Sequence, residues 1–120
     1  MGALDGIRIL DLSRILAGPW ATQMLADFGA AVVKGEAGGG DDTRKWGPPF
    51  IGDDAAYFHA CNRGKRSMIL DLKSEKDLQI LHRLIGCADV VGENFRTGTL
   101  EKIGIHSDAF EGKILCRITG

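Results

Sequence analysis

Residues 7–36, IRILDLSRILAGPWATQMLADFGAAVVKGE, decide the fold. Ile7 to Ser13 forms a short run that is apolar on both faces, as suits a parallel strand covered by helices on both sides. Residues 14–18 make a connection. Pro19 stands at a first helical position, where its missing N–H costs nothing. Ala21, Met24, Leu25 and Phe28 recur at three-to-four spacing and predict the buried helix face, with Gly29 as a C-terminal stop. Ala30 to Glu36 predicts a second strand, weakened at its end by Gly35. Such a unit sets a helix N-terminus at the carboxyl end of the first strand, where α/β proteins bind phosphorylated ligands.

The pattern repeats downstream. Residues 37–54 form a long Gly- and Pro-rich passage, AGGGDDTRKWGPPFIGDD, of a length that within a compact domain usually carries function. Ala55 to Asn62 predicts a short helix and Ser67 to Leu72 a third strand. Ser74 with Asp77 resembles a capping box for a helix reaching about Gly86, with Leu78, Leu81 and Ile85 buried. Asp89 to Phe95 predicts a fourth strand, Thr97 to Gly104 a short helix, and Lys113 to Thr119 a fifth strand. Strands alternating with helices at this spacing mean βαβ units, hence an α/β fold with a mostly parallel sheet.

Composition narrows the function classes. The 120 residues carry a net charge of −1, which gives no electrostatic case for nucleic acid or a membrane surface as partner. The three cysteines are widely spaced and form no Cys-x-x-Cys pair, which argues against a disulfide framework or a zinc knuckle. No stretch approaches the length of a membrane span, and a cytoplasmic setting is the default expectation.

Four stretches are candidates for chemistry. The turn Leu16-Ala17-Gly18-Pro19 lacks the glycines of a dinucleotide fingerprint, although Glu36 stands where that fingerprint wants an acid. GGGDDTR lacks the Gly-Lys-Ser/Thr ending of a phosphate loop, and Asp41 and Asp42 have no nearby His or further acid to complete a metal site. NRGKRSMILDLK places Arg63, Lys65 and Arg66 before a strand, which suits either phosphate contacts or a solvated basic turn. Asn94, Phe95 and Arg96 fall at the carboxyl end of a strand, which favours a ligand role. His59, His82 and His106 read as structural or exposed, and no catalytic constellation is complete.

Taken together, LDGIRILDLSRILAGPWATQMLADFGA, GGGDDTRKWGPPF, NRGKRSMILDLK and DVVGENFRTGTLEKIG resemble, in order and across essentially the whole chain, the class III CoA-transferases of the CaiB/BaiF group. The resemblance implies a Rossmann-like large domain, of which residues 1–120 are the N-terminal part, and a second domain outside them. It implies an interlocked homodimer and a reaction that moves CoA from an acyl-CoA donor to a free (di)carboxylic acid. An aspartate attacks the thioester, forming a mixed anhydride and then an aspartyl-CoA thioester. Coenzyme A enters as substrate, with no permanently bound cofactor and no metal.

By the same resemblance, the nucleophile is expected beyond Gly120, so that Asp41, Asp42 and Asp71 are not candidates for it. The resemblance places CoA contacts at Leu16, Ala17, Arg66, Leu70, Asp71, Leu72, Lys73, Asn94, Phe95, Arg96 and Lys102. Where the family commonly reads KVERPGGGD, this chain reads KGEAGGGD; Gly35 replaces an aliphatic residue, and Ala37 stands where an arginine often approaches the adenine. Two alternatives are a 2-methylacyl-CoA racemase of the same superfamily and a noncatalytic CoA-binding module.

Overall fold

The computed structural model describes residues 2–119. In chain order these form β1 (Arg8–Asp11), α1 (Ala17–Asp27), β2 (Ala31–Glu36), β3 (Phe50–Ile51), β4 (Asp54–Ala55), α2 (Ala56–Cys61), β5 (Lys65–Ile69), α3 (Glu75–Cys87), β6 (Val90–Glu93), α4 (Thr99–Lys102) and β7 (Ile114–Arg117). Two 3-10 turns, Asp42–Lys45 and Ser107–Phe110, lie between them. The five long strands form one parallel sheet in the order β5-β2-β1-β6-β7, and β3 pairs with β4 in a separate small hairpin. The chain therefore builds outward from β1 in one direction through β2 and β5. It then returns to the other side of β1 for β6 and β7.

Both sheet faces are covered, which is why β1 is apolar on both sides. Neighbouring residues Ile9 and Leu10 point to opposite faces. Leu10 joins Leu81, Ile85, Val91, Leu100 and Phe110 under α3 and α4, while Ile9 joins Val32, with Leu25 and Ala26 of α1 packed against them. Half of the capping box of α3 forms: the Ser74 hydroxyl accepts from the Asp77 N–H, but the Asp77 carboxylate accepts from the Asp71 N–H at 2.7 Å rather than from Ser74, and Leu81 and Ile85 are buried. Gly29 takes a left-handed φ of 105° directly after α1, as a C-terminal stop requires.

Two local expectations change. Helix α1 opens at Ala17, so Pro19 is its third residue rather than its first. Its inward face is Gly18, Pro19, Thr22 and Gln23, whereas Met24 and Phe28, expected inside, are 51% and 58% exposed. The reason is a buried carboxylate beneath the helix. Thr22 Oγ1 donates to Asp11 at 2.6 Å, and the Gln23 amide donates to the Ala60 carbonyl and accepts from the Arg63 N–H at 2.9 and 2.7 Å. Those hydrogen bonds turn the polar face inward. The third strand also begins two residues earlier than expected, at Lys65, for a related reason given below.

Candidate functional site

The strand order reverses between β1 and β6, and parallel α/β sheets bind ligands in the crevice beyond the carboxyl ends at such a reversal. A cleft of about 380 Å³ lies there. Leu12, Ser13 and Arg14 following β1, Lys34 to Ala37 at the end of β2, and Asn94, Phe95 and Arg96 following β6 form its walls. Gly40 and Asp41 close one side, and Leu70, Leu72 and Thr99 complete the lining. Its size falls within the range of small-molecule sites, about 300–1,000 Å³.

Three cations bury charge beside this cleft, in four ion pairs. Lys65 Nζ reaches Asp11 at 2.9 Å with side-chain exposures of 1% and 0%, and it also donates to the Pro19 carbonyl and Asn62. Lys34 Nζ pairs with Asp41 at 2.9 Å, equally buried, and donates to the Ser13 carbonyl at 2.8 Å. Arg44 clasps Glu36 at 2.6 Å and Asp54 at 2.8 Å, and its guanidinium lies 3.8 Å above the Phe58 ring. Every buried side-chain N or O among the described residues has a hydrogen-bond partner, as buried charge demands.

Burial pushes the Asp11 carboxyl up, but Lys65, Lys34, Ser13 and Thr22 together outweigh it and hold the group below its ordinary value. Asp41 follows the same logic: burial opposes ionisation, and the Thr43 N–H and Lys34 overcome it. At Glu36 burial is again opposed, by Arg44, Ser67 and the Asp41 N–H, with the same net direction. All three acids are therefore ionised and occupied at neutral pH. Asp42 and Asp71 are exposed, and Asp71 accepts from its neighbour Lys73 N–H at 2.9 Å. Asp11, Glu36 and Asp41 are each tied to a cation and do not stand free as nucleophiles.

The turn between β1 and α1 is held from two directions. Asn94 accepts from the Arg14 N–H at 3.1 Å and donates to the Arg14 carbonyl at 2.9 Å. Asp41 accepts from the Ile15 N–H at 3.1 Å. Ile15 has a φ of 73°, and it is the one non-glycine residue with positive φ among those described. A β-branched residue held in a sparsely populated backbone region costs about 1–3 kcal/mol. Gly18 follows under another constraint: a Cβ there would lie 2.3 Å from the Ser13 side chain, so the close approach of helix and turn requires glycine.

Of the residues singled out by the sequence, Leu70, Leu72, Asn94, Phe95 and Arg96 meet around the cleft. Leu16 instead lines a second, apolar groove of about 200 Å³ with Trp20, Tyr57, Ala60 and Cys61. Ala17, Arg66, Asp71, Lys73 and Lys102 are exposed and lie outside the lining of the cleft. The basic turn is not one anion site: Arg63 pairs with Asp27, Lys65 with Asp11, and Arg66 alone of the three makes no ion pair among the described residues. Sequence reasoning missed Arg14 and Lys34 as cleft residues. No spacing rule marks them, because parallel pairing is what gathers them.

The model of CoA-transferase family III matches residues 4–118. The chain belongs to that family. This family III chain is 51% identical to a succinate–glutarate CoA-transferase of Agrobacterium fabrum, over 98% of its own length and 32% of that protein's. It is 53% identical to a succinyl-CoA:mesaconate CoA-transferase of Haloarcula hispanica, over 85% of this chain and 27% of that protein. Among solved structures, a CaiB/BaiF family protein from Brucella suis superposes with a TM-score of 0.94 at 50% identity, covering 99% of this chain and 34% of that one. The chain thus spans about a third of the length of its family III relatives.

Proposed function

We propose that residues 1–120 form the CoA-binding wall of a CoA-transferase that moves CoA from an acyl-CoA to a free carboxylic or dicarboxylic acid. The carrying observation is the cleft at the strand-order reversal of a family III chain, with Arg14 and Arg96 exposed on its lining. Guanidinium groups suit phosphate, and the apolar side chains of Leu70, Leu72 and Phe95 suit the pantetheine arm. Relatives named for succinyl-CoA, glutarate and mesaconate support a small dicarboxylate as acceptor.

In this reading an aspartate beyond Gly120 attacks the thioester carbonyl. The C–S bond breaks, CoA leaves as thiolate, and a mixed anhydride remains. The thiolate then attacks the aspartyl carbonyl of that anhydride, releasing the donor acid and leaving an aspartyl-CoA thioester. The acceptor carboxylate repeats the two steps in reverse and leaves as the new acyl-CoA. The acids beside the cleft cannot substitute for that aspartate, since Asp11, Glu36 and Asp41 are each tied to a cation. The reading further includes a larger Rossmann-like domain completed by residues outside the chain, a homodimer, and a cytoplasmic setting. Among the described residues no helix is long and apolar enough to cross a membrane.

The test uses the longest polypeptide its gene encodes. Calorimetry with CoA is expected to show saturable binding, and succinyl-CoA with glutarate or mesaconate is expected to yield succinate and the new thioester. No heat at millimolar CoA overturns the reading. Exchange of the α-proton of a 2-methylacyl-CoA in deuterated water, with no acceptor acid present, would assign the cleft to racemase chemistry instead.

A further inference from the structure

We infer that Asp41 is a positioning residue for this site: its buried carboxylate holds the strained β1–α1 turn against the Gly-rich loop and so sets the shape of the cleft wall. The inference rests on the reading of the cleft as a CoA site. Four donors converge on the carboxylate: the Ile15 N–H at 3.1 Å, the Thr43 N–H at 3.0 Å, the Thr43 hydroxyl at 2.8 Å and Lys34 Nζ at 2.9 Å. They come from three separate pieces of chain: the turn after β1, the 3-10 turn, and strand β2.

The arrangement has a direction. Lys34 is part of the sheet, paired in register with Asp11, so it fixes the carboxylate relative to the strands. The Asp41 N–H donates to Glu36 at 2.7 Å, which anchors the carboxylate's own backbone to the end of β2. What the carboxylate joins to that frame is a loop with positive φ at Gly39 and Gly40, and a turn with Ile15 at φ 73°. An isoleucine persists there only when its surroundings over-determine it. Asn94 holds Arg14 but makes no bond to Ile15, so Asp41 is the hydrogen-bond acceptor that holds the strained residue itself. Leu16 and Ala17, which open α1, follow directly from that residue, and Ser13 and Arg14 of the cleft precede it.

Asp41→Asn keeps the size of the side chain and removes its charge. If the carboxylate acts through Ile15, a glycine at 15, free to adopt positive φ, makes the hold unnecessary. In the longest gene product, Asp41→Asn is expected to raise the KM for acyl-CoA, and the Kd for CoA, about tenfold, with a smaller change in kcat. In an Ile15→Gly background, where only the lost charge beside Lys34 remains, the same substitution is expected to change both by about threefold or less, a non-additivity that a general loss of stability does not produce. An equal rise in the two backgrounds, or no rise with Ile15 present, overturns the inference. Should Asp41→Asn fail to fold, Asp41→Glu, which keeps the charge and displaces it by one CH₂, takes its place with the same expectations. Failure of the unsubstituted protein to bind CoA instead overturns the reading of the site, a separate outcome read in the same calorimeter.

Discussion

At Lys65 an ammonium group sits 2.9 Å from the Asp11 carboxylate with both side chains out of water, and its other two donors are used on Pro19 and Asn62. In the sequence it is one of three basic residues in a turn, with nothing to separate it from Arg63 and Arg66. Only the pairing of β5 with β2 brings it inward and carries the strand back to residue 65. Removing one member of a buried pair leaves the other uncompensated, so Lys65→Met is expected to destabilise the protein by about 3–5 kcal/mol. Adding Asp11→Leu is expected to recover part of that loss. Urea denaturation of the two variants measures it, and a double variant less stable than Lys65→Met would show that the pair is a net stabiliser rather than a linked constraint. Asn94 shows the same principle in the turn: a side chain that looks like a ligand contact in sequence also holds backbone in the structure.

Among the elements, α1 departs furthest from its pattern. Leu16, Trp20, Met24 and Phe28 recur every fourth residue and are 40%, 55%, 51% and 58% exposed, while Thr22 and Gln23 are buried. Periodicity reports where apolar residues lie, and the buried carboxylate of Asp11 decides which face turns inward. Strand β2 offers a second case. Gly35 reads as a weak strand end, yet it pairs in register with Met68, and a Cβ there would meet Leu12 Cδ2 at 3.0 Å and Leu70 Cδ1 at 3.1 Å. Both leucines belong to the core and line the cleft. Gly35→Val, which restores the aliphatic residue common in the family, is expected to cost about 1–3 kcal/mol through overpacking and to narrow the cleft. Thermal melting and CoA affinity check the two effects separately, and an unchanged melting temperature would mean that the leucines have room to retreat.

At the scale of the molecule, three acids with lowered proton affinity, Asp11, Glu36 and Asp41, tie the carboxyl side of the sheet together. Each is lower folded than unfolded, so its contribution is complete above the unfolded value, near 4, and is lost as pH falls through the folded one. The melting temperature is thus expected to hold roughly level from about pH 7 to 5 and to fall steeply below about pH 4. A melting temperature at pH 3 equal to that at pH 7 would contradict the network. The sequence by itself determined the alternation of strands and helices, the core face of α3 from Leu78, Leu81 and Ile85, the family, and the cleft positions Leu70, Leu72, Asn94, Phe95 and Arg96. The strand–helix alternation and the α3 face are carried by spacing along one segment, whereas the family and the cleft positions are implied by the resemblance of the ordered motifs. Only the tertiary structure decided the partners of Lys34, Lys65 and Arg44, the inward face of α1, and the hold of Asp41 on Ile15. These depend on charges 7 to 54 residues apart meeting out of water. Which opposite charge each one meets is set by strand order and register, and no spacing within a single segment encodes it.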